Sequence, residues 1–191
     1  LDLTQKGRLP LLQPPRRDSA GTLMQIDAAT RRNLELTSAL SGGRAGSVLA
    51  AVDRTATAAG ARLLERRLSS PSRDLGAIHA RLDAVDWGTQ APPDLRERLR
   101  RVPDVERALS RLALDRGGPR DLAAVRSALA VAEDLARDLP PDLPPLLEAA
   151  RSALTGHGDL LDLLDAALVA EPPLLARDGG FIAPGHDPDL G

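Results

Sequence analysis

The sequence predicts an all-α fold, a multi-helix bundle with a small N-terminal β-hairpin, and three observations predict it. Apolar residues recur at i, i+3, i+4 and i+7 along most of the chain. Side chains that cap helices, and prolines and glycines that end them, punctuate those runs at short intervals. Trp87 and Phe181 are the only aromatic residues, so the core must be built from Leu, Val, Ile and Ala, which suits helix-on-helix packing.

Each element follows in order. Pro10, Pro14 and Pro15 exclude a helix interior and favour extended chain, residues 18–21 read as a turn, and 22–26 as a strand. Asp27 is placed to cap a helix over 28–33, and Ser47 one over 48–54. A helix over 57–68 is closed by Pro71. Asp74 caps the next, whose Leu75, Ile78, Leu82 and Val85 are expected to face inward. Pro92 and Pro93 open a helix that runs to Arg101. In the helix after Asp104, Val105, Leu109 and Leu112 share one face. Gly117 and Gly118 are expected to stop it with positive φ, and Pro119 to start the longest helix, 119–138. Its inward residues are Leu122, Val125, Leu129, Ala132 and Ala136, and Glu133 stands four residues before Arg137 for a surface ion pair. Prolines between 140 and 145 make a stiff connector to a helix holding Leu147, Ala150 and Leu154. A last helix spans 159–170, and residues 174–185 read as extended chain with Gly179 and Gly180 in unusual backbone angles.

Bulk properties exclude several classes. The 191 residues suit one core, with 42% hydrophobic and 27% charged residues. The absence of cysteine removes disulfides and thiolate metal sites. No apolar run approaches the roughly 20 residues of a membrane helix, so no membrane partner is expected and a cytoplasmic location fits. The net charge of −2 conceals an asymmetry. Residues 1–120 hold 21 basic and 14 acidic side chains, residues 121–191 hold 4 and 13, and Lys6 is the only lysine. Two readings stand for the arginines: solvated or snorkelling helix faces paired with nearby carboxylates such as Asp94 or Glu97, or contacts to the phosphates of duplex DNA. On the second reading the candidates are Arg16, Arg17, Arg31, Arg32, Arg62 and Arg66, with Arg62 and Arg66 at i, i+4 on one helix face.

Catalytic chemistry is poorly represented. A phosphate-cradling loop needs G-x-x-x-x-G-K-[ST], and the nearest stretch, residues 42–47, lacks the lysine and the spacing. His79, His157 and His186 have no second histidine at metal-ligand spacing. Asp159, Asp162 and Asp165 recur every third residue, but the leucines between them point to an acidic outer helix face. No catalytic, cofactor-binding or metal residue is therefore assigned, and the chain is read as no enzyme in itself.

Four segments carry a family resemblance: MQIDAATRRNLEL at 24–36, TAAGARLLERRLSSP at 57–71, DVERALSRLALDRGGPRDLAAVRSAL at 104–129 and LLARDGGFIAPGHDPDL at 174–190. In this order they resemble the core domain of the DNA mismatch-repair MutS family. The resemblance implies that residues 1–27 hold the end of a connector and an opening hairpin. It implies that 28–191 form the helical core, without lever helices, clamp or ATPase domain. His186 stands where similar proteins usually have tyrosine. The implied role is to couple DNA-holding and clamp parts to the ATPase domain of a protein that recognises mispaired double-stranded DNA. ATP and Mg are then cofactors of the full-length protein, which is expected to be a homodimer, and none belongs to this fragment. The alternatives are a stand-alone helical protein-interaction domain or a non-specific duplex-binding module.

Overall fold

The computed structural model describes residues 21–186. Among them nine α-helices follow one another: α1 (Ala28–Asn33), α2 (Val48–Val52), α3 (Ala58–Ser69), α4 (Leu75–Thr89), α5 (Leu95–Arg100), α6 (Val105–Ala113), α7 (Pro119–Asp138), α8 (Pro145–Ala153) and α9 (Gly158–Ala167). A 3₁₀ turn follows at Ala176–Asp178. The fold is mainly helical, as expected.

Local chemistry starts the helices. Each first turn leaves backbone N–H groups without partners, and a side-chain oxygen supplies one. Asp27 accepts from the N–H of Thr30 at 2.9 Å, Ser47 from Ala50 at 3.1 Å and Thr57 from Gly60 at 2.9 Å. Asp74 accepts from Ala77 at 3.1 Å, and Asp104 from Arg107 at 3.3 Å. α7 begins differently: Pro119 occupies its first turn, and the carboxylate of Asp121 reaches back to the Gly118 N–H at 2.8 Å.

The expected N-terminal hairpin falls largely outside the described residues. Within them Leu23 forms an antiparallel bridge with Ser72. Met24 N–H donates to Pro71 O at 2.8 Å, and Arg73 N–H to Thr22 O at 2.8 Å. The described part of the strand thus pairs with the link that follows α3.

The core sits where α6 and α9 both pack on α7. Ala108, Val125, Leu164 and Leu168 are buried there, with Val105, Leu112, Leu122, Leu129 and Phe181 packed around them. A short strap closes it: Leu168 bridges Ile182, Val169 N–H donates to Phe181 O at 3.0 Å, and Ala183 N–H donates to Ala167 O at 2.8 Å. Gly179 and Gly180, at φ +66° and +65°, give the turn that returns the chain to this position.

Several faces differ from expectation. On α6 the inward stripe is Val105, Ala108 and Leu112, and Leu109 is 51% exposed. On α4, Leu75, Leu82 and Val85 are 70%, 57% and 64% exposed, and the half-buried residues are Ala77, Ile78, Ala80, Arg81, Ala84 and Trp87. The half-buried stripe mixes three alanines with Ile78, Arg81 and Trp87, and α4 lies beside α8. Arg137 pairs with Asp134 at 2.9 Å instead of the expected Glu133. Neither Gly117 nor Gly118 has positive φ; Asp115 takes that conformation at φ 54°. Gly117 is required for space: a Cβ there would lie 2.8 Å from the Leu112 Cα.

Candidate functional site

Arginine dominates the polar chemistry, and the structure sorts the candidates by what already holds them. Arg16 and Arg17 lie outside the described residues. Arg31 is tied inward: its guanidinium donates to Ser69 O at 2.6 Å, joining α1 to the end of α3. Arg62 is gripped by two carboxylates. It donates to both oxygens of Asp104 at 2.7 and 3.0 Å and to Glu106 Oε2 at 2.7 and 2.9 Å. These charge-assisted bonds strengthen its hold on its proton, Asp104 first and Glu106 second, and Arg62 holds the Asp104 carboxyl below its ordinary value. The side chains of Arg32 and Arg66 are exposed and make no hydrogen bond or ion pair among the described residues.

Arg66 belongs to a like-charged group. The affinity of Arg67 for its proton is lowered by burial, then by Arg81 and Arg66 nearby. The like charges of Arg66 on α3 and Arg81 on α4 are thus both felt at Arg67. Several other arginines are engaged: Arg98 pairs with Asp138 at 2.8 Å, Arg100 with Glu97 at 3.1 Å, and Arg96 donates to Arg54 O.

Sequence reasoning passed over Arg126, whose signal was a lone arginine beside the inward Val125 on α7. Its guanidinium donates to the carbonyls of Leu168 and Val169 at 3.2 Å and of Ala170 at 2.9 Å, and faces Asp165 at 3.6 Å. Those carbonyls lie just beyond α9, so Arg126 serves as a side-chain cap for that helix. Asp121 is a second such device: it holds the start of α7 and pairs with Arg111 of α6 at 3.2 Å.

The loop weighed as a phosphate cradle is a structural turn. Gly42 N–H donates to Ala39 O at 3.0 Å and Ala39 N–H to Gly43 O at 2.9 Å, while Ser47, 1% exposed, is committed to capping α2. These residues do not fit a nucleotide triphosphate, which needs free N–H groups and a lysine. His157 lies 3.4 Å from Ala153 O, and His79 and His186 are exposed. Asp159, Asp162 and Asp165 are exposed on α9 beside Leu160 and Leu163, which are themselves uncovered. Among the described residues no group of three or more His, Cys, Asp or Glu could hold a metal ion. No described helix is long and apolar enough to cross a membrane. Two open grooves, of about 510 and 530 Å³, are lined by Arg101, Arg120 and Glu171 in one case and by Asp83, Asp86 and Trp87 in the other.

What remains conspicuous is uncovered apolar surface on α4 and α9 around a tightly tied helical centre. That defines a class: a mainly helical domain with a buried centre and apolar faces left exposed among the described residues. The model of MutS domain III matches residues 29–184. The chain belongs to the DNA mismatch-repair MutS family, as its domain III. It is 69% identical over its whole length to the DNA mismatch repair protein MutS of Cereibacter sphaeroides (strain ATCC 17025). The proteins of that name from Paracoccus denitrificans and Ruegeria pomeroyi are 65% and 62% identical, again over the whole chain. In each case the chain spans 22% of the relative's length. The matched region is mainly helical, and the sequence holds no G-x-x-x-x-G-K-[ST] run.

Proposed function

We propose that this domain is the structural core of a mismatch-repair ATPase, coupling the parts that hold mispaired duplex DNA to the part that hydrolyses ATP. The observation that carries the reading is a rigid, fully tied centre beside apolar stripes that no described residue covers. α6, α7 and α9 share one buried cluster, and Arg126 and Asp121 fix their ends. Closely packed helices move as units, so displacement at one edge is delivered to the other. Leu75, Leu82 and Val85 on α4, with Leu160 and Leu163 on α9, supply surfaces on which connector, clamp and ATPase domains of the longer protein seat. ATP and Mg act in that protein, as a homodimer, and not in these residues.

The test is made in the full-length protein with Leu82→Asp and Val85→Asp combined. The expected result is ATP hydrolysis without DNA close to that of the parent, with ATP no longer changing retention on heteroduplex. Unaltered coupling overturns the reading.

A second reading has its own support in the exposed side chains of Arg32 and Arg66, unpaired among the described residues, and in the like charges of Arg66 and Arg81 felt at Arg67. On it, the exposed Arg32 and Arg66 touch duplex phosphates directly. Affinity of the isolated chain for plain duplex would then fall steeply with salt, with a log–log slope reduced by roughly 1 in Arg66→Ala.

A further inference from the structure

We propose that Arg62 is an electrostatic latch that holds a separate N-terminal lobe, α1 to α3, against the α6–α7–α9 core. Three observations place it there. The lobe is tied within itself: Arg31 links α1 to the end of α3, Val48 and Leu49 N–H groups donate to Glu35 and Leu36 carbonyls at 2.9 Å, and α2 packs beside α3. The core has its own apolar cluster, and no residue of the lobe belongs to it. Between them stands Arg62, whose guanidinium spans Asp104 and Glu106 with four hydrogen bonds of 2.7 to 3.0 Å.

The chemistry suits a latch. The guanidinium remains 42% exposed and Glu106 63%, so water and salt reach the bonds and screen them. A pair in this setting shifts an equilibrium by a modest factor, about two- to five-fold, which is enough to regulate without locking. The link over residues 70–74 supplies the pivot, since it joins the lobe to α4 and carries the Leu23–Ser72 bridge. Asp104 has two duties, capping α6 and gripping Arg62, so an opening lobe leaves the cap in place.

Spin-label distance measurements on the chain test this directly, because it contains no cysteine of its own. One pair of labels goes on Asn33→Cys in the lobe and Ser127→Cys in the core. A control pair goes on Ser127→Cys and Asp159→Cys, all three positions being exposed. The expected result is a single lobe-to-core distance at low salt. A second, longer distance should grow about two- to five-fold in Arg62→Met, in Asp104→Asn and in the parent at 1 M salt. Asparagine keeps the cap but removes the charge, so it separates the latch from helix stability. The control distance stays fixed throughout. An unchanged lobe-to-core distance in Arg62→Met overturns the latch. So does a control distance that broadens alongside it, which means general loosening, and so does a response of Arg62→Met without one in Asp104→Asn.

Discussion

The α6–α7–α9 centre, with helices of 9, 20 and 10 residues, and the α1–α3 lobe, with helices of 6, 5 and 12, are held by different forces. The centre buries Ala108, Val125, Leu164 and Leu168 against one another, and its polar ties, Arg126 and Asp121, reach backbone atoms. The lobe's contacts are mostly charged or local: Arg44 with Asp53, Asp53 with Thr55 at 2.7 Å, Arg62 with Asp104. Its fully buried side chains are Leu49 and Ser47. Apolar burial is indifferent to salt and acid, and ionic contact is not, so conditions can address the two regions separately.

Four changes sharpen that contrast. The largest effect belongs to Arg126→Met, which strips the donors from three carbonyls at the end of α9. The expected loss is about 3 kcal/mol of unfolding free energy, read from urea denaturation, with little salt dependence. A loss under about 1 kcal/mol would place the cap among the dispensable contacts. Next comes Gly117→Ala, whose new methyl meets the backbone of Leu112. About 2 kcal/mol is expected, and a crystal structure of the variant should show α6 displaced from α7. Ser47→Ala removes the cap of α2 and a buried hydroxyl, and costs about 1 kcal/mol. Hydrogen exchange should find the faster amides in α2 and not in α9.

The smallest effect is acid loosening of the lobe. Folding lowers the carboxyl pKa of Asp27 through Thr30, of Asp53 through Thr55 and of Asp104 through Arg62. The stability these groups contribute is complete above the ordinary value of 3.8 and disappears as pH falls through their lower folded values. Amides of α1 to α3 should therefore lose protection on acidification to pH 3 before those of α7, and simultaneous loss would contradict the division.

The sequence was legible wherever the interaction is local. Asp27, Ser47, Thr57, Asp74 and Asp104 each meet an N–H three residues on, so spacing alone located the helix starts. The two glycines at 179 and 180 were legible for the same reason. Long-range choices were hidden. Periodicity finds apolar residues on more than one face of α4 but cannot say which face is covered, and it placed Leu75, Leu82 and Val85 inward when they face out. Arg62 was read as a candidate for external phosphate because its partners lie more than 40 residues away. Gly117 was assigned to backbone freedom, whereas crowding by Leu112 is the constraint, and crowding has no signature in spacing. The family resemblance reached further than the physics of single residues, since its motifs summarise the tertiary fit that spacing omits.

Asp121 has one more consequence. The same carboxylate fastens the amide ahead of α7 and a guanidinium on α6, so one side chain ties the corner between the two helices from both sides. Replacing Asp121 would therefore release the start of the twenty-residue helix and its pairing with α6 together.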